Sequence, residues 1–285
     1  MTNILIVGSR SMVGRRLKRR LGGPFAVRTA GRDGTADIQF DLAAEFVPPR
    51  NIDAFDVVIH CAASFGGDGL DEAVGNEVVN AVGSLRTVQL AKAAGCRHLI
   101  SINSISMYDH PENQYFGSYG LSKKHGHENV LWACRQIGMA CTSLVVSQLY
   151  DEKGEARRHQ PFLYHIVDCA RAGAEVQLFG RANPRRNFLF VEDLAAVVEG
   201  VIEQRILGTF PVLADESPTL SEVAETAFRV FGTPARIRMV TDKPDARTVY
   251  LPEDRAIYAR IGLNGTTGLE SGLAIIRDHM RHEHA

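Results

Sequence analysis

Tyr119 and Lys123 stand four residues apart in the segment Tyr119-Gly120-Leu121-Ser122-Lys123. On a helix that spacing puts both side chains on one face, one turn apart. A free phenol titrates near ~10, so it exchanges protons near neutrality only with help. An ammonium beneath it favours the phenolate. Of the seven tyrosines, only Tyr119 has a lysine four residues on. Upstream, the apolar run from His98 to Ile102 ends in Asn103-Ser104-Ile105-Ser106. An amide and two hydroxyls therefore fall where the strands of an open parallel sheet present ligand-binding groups.

These groups need a scaffold, and the N-terminus predicts one. Ile4 to Val7 is a wholly apolar run, as expected of a central parallel strand buried on both faces. It breaks at Gly8-Ser9-Arg10-Ser11-Met12-Val13-Gly14, and Val13, Leu17 and Leu21 then follow at helical spacing. Strand, glycine turn and helix form a dinucleotide-binding fingerprint. Gly8 permits the tight turn, the helix N-terminus offers N–H groups to a pyrophosphate, and Gly14 allows close packing on the sheet. Ser11 takes the middle position and brings a hydroxyl towards the phosphates. The second strand, Phe25 to Ala30, leads into Gly31-Arg32 rather than into an acidic residue. Arg32, with Arg10, suits a 2′-phosphate, so NADP(H) is the expected cofactor and NAD the second choice. Asp37 to Asp41 reads as a third strand, with Asp41-Leu42 placed to meet the adenine. Asp56 to Ile59 reads as a fourth, running into His60-Cys61-Ala62-Ala63, whose small residues let backbone lie along the dinucleotide. His60 is expected to be a core histidine.

Helices are predicted over 71–94, carrying Asn80 as a brace in an apolar face, and over about 118–137. A sixth strand spans Met139 to Val146. Beyond Tyr150 the texture changes. Residues 151–160 read as a loop over the site, 162–172 as a helix, 175–179 as a strand, and 185–191 as a strand leading into a helix from Glu192. Further helices are expected at 220–231 and 269–280. The expected organisation is a dinucleotide-binding domain over 1–150, with 186–204 returning to it, and a mainly substrate-binding domain over 151–285.

Composition limits the partners. The chain is 45% hydrophobic and 23% charged with net charge −1, which gives no general reason to expect nucleic acid or membrane. No apolar run approaches the ~18 residues of a membrane helix. Five scattered cysteines without a Cys-x-x-Cys suit a reducing compartment, and the cytoplasm is the default expectation. His282-Glu283-His284 has no third ligand nearby in sequence, so no metal site is expected.

Taken in order, the motifs resemble a family. Gly8 to Gly14, Asp41-Leu42, His60 to Ala63, Asn80-x-x-Gly83, Ser104 before Tyr108, Tyr119-x-x-x-Lys123 and Arg186 to Ala195 together are similar to the extended short-chain dehydrogenase/reductases that act on nucleotide sugars. The nearest look within the group is to GDP-fucose synthase and the 4-ketoreductases. The resemblance implies an α/β fold: a doubly wound parallel (Rossmann) sheet with a small C-terminal α/β substrate domain. It implies Tyr119 as acid/base, Lys123 as the group that holds the nicotinamide ribose and tunes Tyr119, and Ser104 as the partner of the substrate oxygen. Arg186 would contact the diphosphate. Ser106 and His159 fall where GDP-fucose synthase has an epimerising Cys and His. The absence of a carboxylate between Ser101 and Tyr108 speaks against dehydration, and Val145 and Gln148 depart from the Arg and Asn frequent in relatives. The expected function is an NADPH-dependent reductase of a 4-keto nucleotide-diphosphate sugar. The alternatives are an NAD(P)-dependent nucleotide-sugar 4-epimerase and a non-catalytic NADP-binding regulator. The two long helices imply a homodimer.

Overall fold

The computed structural model describes residues 1–47 and 52–282. The chain runs β1 (Asn3–Val7), α1 (Met12–Leu21), β2 (Ala26–Gly31), β3 (Ile38–Gln39) and β4 (Val57–His60). A long helical stretch follows in two pieces, α2 (Leu70–Asn76) and α3 (Gly83–Ala93), joined by a π-helical turn at Glu77–Val82. Next come β5 (His98–Ser104), α4 (Ser118–Ile137) and β6 (Ala140–Val146). After these stand β7 (Gln148–Tyr150), α5 (Pro161–Ala172), β8 (Val176–Phe179), β9 (Phe188–Phe190), α6 (Val191–Gln204) and β10 (Gly208–Val212). The chain closes with α7 (Leu220–Phe231), β11 (Ile237–Val240), α8 (Ala256–Ile261) and α9 (Leu269–His282).

Seven strands form one parallel sheet in the order β10-β6-β5-β4-β1-β2-β3. The chain winds outward from β1 to β3, returns to the centre at β4 and winds out the other way. The strand order therefore reverses between β1 and β4, where Val7 pairs with His60. Alternate residues along each strand serve opposite faces. Ile4 and Ile6 join the core under α1 and α6, while Leu5 and Val7 join the core under α3 and α4. A third core gathers α5, α7, α9 and β8. β9 belongs to two of these: Leu189 enters the sheet core, and Phe188 and Phe190 enter the third.

Several expectations shift. The third strand is two residues long, because the carboxylate of Asp37 turns back onto Thr29, accepting from its N–H at 2.7 Å and its hydroxyl at 2.8 Å. β5 continues to Ser104, beyond the predicted end at Ile102. The helix read as continuous over 71–94 carries the π turn, which no local pattern announces. β10 was not foreseen. It contains Pro211, which argues against a strand, and it is admitted because β10 is an edge strand bonded only to β6.

The end of α2, the π turn after it and α4 are joined by two side chains. Asn80 accepts from the Ser64 N–H (2.8 Å) and donates to the Ser64 carbonyl and the Ser122 hydroxyl (2.9 Å each). Four residues earlier, Asn76 makes the same three bonds to Gly66 N–H (2.8 Å), Gly66 carbonyl (3.2 Å) and Ser118 hydroxyl (2.9 Å). Ser118 and Ser122 are themselves four apart on α4, so one helical period matches the other. Glycine permits the approach: a Cβ at Gly126 would lie 2.2 Å from the carbonyl oxygen of Asn80. Replacing Asn80 leaves a half-buried backbone N–H and C=O unmet, at about 1–2 kcal/mol each. Asn80→Leu should therefore lower unfolding stability in urea by roughly 2–4 kcal/mol at unchanged m-value. A loss below about 1 kcal/mol would show that the bridge is not structural.

Candidate active site

The glycine turn lies at the strand-order reversal. Gly8 has φ +105°, and a Cβ there would fall 2.7 Å from the Ala62 nitrogen. A Cβ at Gly14 would fall 2.2 Å from the Gly8 carbonyl oxygen. Ser11 does not reach outward as expected. It is the N-cap of α1, accepting from the Gly14 N–H and donating to the Gly8 carbonyl, each at 2.9 Å. A helix start leaves donors that need acceptors, and Ser11 fills that role locally. The Arg15 N–H bonds the Ser11 carbonyl. The amides of Met12 and Val13 have no hydrogen-bond acceptor among the described residues. Two free N–H groups at a helix N-terminus, reached over backbone that no side chain can occupy, fit a dinucleotide pyrophosphate.

The turn after β2 is mixed in charge. The Ser9 hydroxyl is buried without a partner and lies 2.9 Å from where a Gly31 side chain would begin. Arg10 is exposed and its charge acts on Asp33, a residue sequence reasoning passed over. Hydrogen bonds from Thr35, then the Arg10 charge, hold the Asp33 carboxyl below the usual range. Arg32 is exposed, and its guanidinium enters no hydrogen bond or ion pair among the described residues. Asp41 caps a turn through the Ala43 N–H (2.9 Å), and Leu42 is buried against Gly83. Cys61 donates to the Val7 carbonyl at 3.2 Å, and burial pushes its thiol up to about 11, so it is no thiolate. Ala62 lies against Gly8, and Ala63 lines the cavity described next. His60 is buried, as expected for a core residue. Its Nε2 meets Ser84 at 3.3 Å, and burial, then the Lys123 charge, pushes it down to about 3.

A cavity of about 370 Å³ opens beyond the ends of β5 and β6. Ser104, Ser106, Tyr119, Lys123 and His159 all line it. Ser104 caps a short 3₁₀ turn (Ile105–Met107), receiving the Ser106 N–H and bonding the Ser106 hydroxyl at 3.2 Å each. Its hydroxyl also bears on the Tyr119 phenol, which it pulls down. α4 brings Tyr119 in closely, since a Cβ at Gly120 would fall 2.3 Å from the Ser106 carbonyl oxygen. Burial raises the Tyr119 phenol well above its ordinary value, and Ser104 only partly opposes this. Lys123 does not supply the expected lowering. Its buried ammonium donates to the Ile102 carbonyl at 2.9 Å, and burial drives it down to about 8. Its charge acts on Cys61, His60 and His127 instead. Asn103 turns its amide inward, to Ser101 (3.2 Å) and Ser143 (2.9 Å).

Arg186 stands behind the wall. It is 4% exposed, and its N–H groups go to the carbonyls of Arg185 (2.9 Å) and Arg247 (2.6 Å), with its guanidinium 5.6 Å from the Tyr115 ring centre. A buried guanidinium must satisfy its donors, and backbone carbonyls do so here. Tyr115 takes its place on the cavity surface. Sequence reasoning also missed Phe65, Arg158 and Gln160 as cavity residues, and saw Gln148 only as a departure. Phe65 stacks on Tyr119 (ring centres 4.7 Å apart, 22°) and on His159 (4.1 Å, 36°). The one available signal was Phe65 itself, an aromatic set beside two glycines in a strand-end turn. Among the described residues, no cluster of three or more His, Cys, Asp or Glu side chains is placed to hold a metal. Glu283 and His284 lie outside the described residues. No helix among them is long and apolar enough to cross a membrane.

Comparison with known proteins agrees with this architecture. A probable UDP-glucuronate 4-epimerase of Rhizobium meliloti (strain 1021) is 25% identical over 173 residues, which are 57% of this chain and 47% of that protein. The chain thus spans about half the length of that relative. The UDP-glucuronic acid 4-epimerase of Bacillus cereus, solved in complex with NAD, superposes with a TM-score of 0.79 at 16% identity, covering 100% of both chains. RMD from Pseudomonas aeruginosa, complexed with NADPH, gives a TM-score of 0.79 at 16% identity, covering 99% of this chain and all of that one. Residues 4–208, well over half of the sequence, match the NAD dependent epimerase/dehydratase family, and the chain belongs to that family, within the extended short-chain dehydrogenase/reductases.

Proposed function

We propose that the protein is an NAD(P)-dependent 4-epimerase of a nucleotide-diphosphate sugar. One observation carries the reading: Ser104, Tyr119 and Lys123 meet on one cavity beside a glycine turn with two free amides. The relatives named as UDP-glucuronate 4-epimerases turn it towards epimerisation and away from the reductase expected from sequence. When bound, the nicotinamide takes up or gives back a hydride. Gly8, Met12, Val13 and Gly14 would hold its pyrophosphate. Tyr119 would take the proton of the sugar hydroxyl and return it to the same oxygen after the ring has turned over. Ser104 would hold that oxygen throughout, and Lys123 would hold the nicotinamide ribose. We further propose a homodimer through the π turn and α4, where Val82, Leu121, Trp132 and Ile137 are exposed.

A second reading, NADPH-dependent 4-ketoreduction, draws on two observations. The raised phenol is a ready proton donor at neutral pH. Arg10 and Arg32 suit a 2′-phosphate. Purified protein should invert UDP-glucuronic acid or UDP-glucose without net change in cofactor redox state. NADPH consumption with a 4-keto nucleotide sugar, and no inversion of either probe, gives the reaction to the second reading.

Tyr119→Phe should keep cofactor binding and lose turnover by roughly 10²–10⁴-fold. Unchanged turnover removes Tyr119 from the chemistry. For the cofactor, the two arginines lead us to expect tighter binding of NADPH than NADH, with Arg32→Ala narrowing the gap. Equal affinities in the unmodified protein count against a 2′-phosphate site.

Lys123 gives a pH test. Its folded value of about 8 lies below the ordinary 10.5, so the unfolded chain binds more protons between these values. Stability contributed at this position therefore rises with pH over that window. Measured without cofactor, the unmodified protein should gain stability relative to Lys123→Met by roughly 3 kcal/mol from pH 8 to pH 10.5. A flat difference would place the ammonium in contact with water.

A further inference from the structure

The cavity contains buried polar atoms that the chain itself does not satisfy. The Ser147 hydroxyl has no hydrogen-bond partner among the described residues, although Ser147 is only 6% exposed. The Oε1 of Gln148 is likewise buried and without a partner. Both residues line the cavity. Polar groups left unmet inside a fold are costly, and two neighbours left unmet on one cavity wall point to a ligand that meets them.

Their placement is fixed. Ser147 follows Val146, which is paired with Ser104 across the β5–β6 ladder, so the two serines stand on adjacent strand ends. The Ser147 N–H bonds the Val212 carbonyl at 3.1 Å. Gln148 opens β7, and its N–H bonds the Asn187 carbonyl at 3.2 Å. The Gln148 amide Nε2 donates to Gln160 Oε1 at 2.9 Å, which holds the side chain by its donor end. What faces the cavity is therefore the acceptor end. A phosphate or carboxylate oxygen brings no proton to such an atom at neutral pH. A hydroxyl does.

We propose that Ser147 and Gln148 form a hydroxyl-reading subsite for the sugar ring, in which Gln148 Oε1 accepts from one substrate hydroxyl and Ser147 bonds the same or the adjoining one. Being one strand away from Ser104, the subsite reads a hydroxyl near the reacting carbon, and the anionic part of the substrate lies elsewhere. The inference rests on the nucleotide-sugar reading and deepens it: the substrate is a hexose that keeps the hydroxyl on C3 or on C6, the two nearest to C4. Gln148 and Ser147 are thus specificity-determining residues. A site built around such a bond rejects an analogue lacking the hydroxyl, because its own polar atoms are then left unpaired.

The test is a binding cycle between protein and ligand. Calorimetry on the NAD(P)-loaded protein compares UDP-glucose with UDP-3-deoxyglucose and UDP-6-deoxyglucose. In the unmodified protein at least one deoxy sugar should bind about tenfold or more weakly than UDP-glucose. In Gln148→Met, which keeps length and removes the acceptor, that discrimination should fall to within about twofold, with NAD(P) affinity unchanged. Ser147→Ala provides the same comparison should Gln148→Met fail to fold. Discrimination that survives in the variants, or that is missing from the unmodified protein, overturns the proposal. Turnover is read separately. A protein that discriminates among these sugars but inverts none of them fails the epimerase reading and keeps the subsite.

Discussion

Two asparagine side chains, four residues apart, hold the candidate site together. Asn76 and Asn80 each bind both backbone groups of one residue in the turn after β4 and one hydroxyl on α4. A turn carrying unpaired N–H and C=O groups cannot lie between two helices and a sheet edge, because buried backbone groups need partners. The amide of asparagine offers donor and acceptor in the spacing a peptide unit presents, so it stands in for a strand neighbour. The π turn belongs to the same solution, since it is the segment that carries Asn80. With the clamp in place Phe65 is fixed, the phenol of Tyr119 is covered on one side, and the hydroxyl edge faces Ser104.

Burial then sets the electrostatics. The same packing that orients Tyr119 and Lys123 removes them from water, and both shift towards their neutral forms: the phenol upward, the ammonium downward. Distance along a helix predicted attraction between them. The ammonium instead takes the Ile102 carbonyl of β5. Arg186 follows the same logic with the carbonyls of Arg185 and Arg247.

The doubly wound sheet was legible in the sequence because its central strands β1, β4, β5 and β6 are short, mostly apolar and punctuated by glycine or a polar turn, so local pattern and tertiary role agree. Gly8 and Gly14 were legible for the same reason: each is required by a contact that the turn itself makes. Ser11 was misjudged because capping competes with ligand binding for the same hydroxyl, and the helix prevails. β10 was hidden by Pro211, whose missing donor matters only if both sides of a strand are paired. Asn76 carries no local signal at all, and Gln160 none beyond its place in a loop expected over the site. Their partners, Gly66, Ser118 and Gln148, come from other parts of the chain, and such pairings are visible only once the fold has formed.

β9 has one further consequence. Its middle residue packs under the sheet and its two outer residues pack in the C-terminal core, while β10 and α8, which finish the sheet and its cover, come later still in the chain. Arg16 on α1, buried between Glu152 (2.6 Å) and Glu192 (2.8 Å), ties α6 and the cavity loop to the first helix made. A ribosome releases this chain from the N-terminus, and domains commonly fold as they emerge. Here the early half cannot close its sheet alone. It waits with an open edge at β6 until the residues of β10 arrive, by which point α5, β8, β9 and α6 have already emerged. The Ser147 N–H on the cavity wall meets its acceptor, the Val212 carbonyl, only then, and Val249, the last residue to line the cavity, comes later still in the chain.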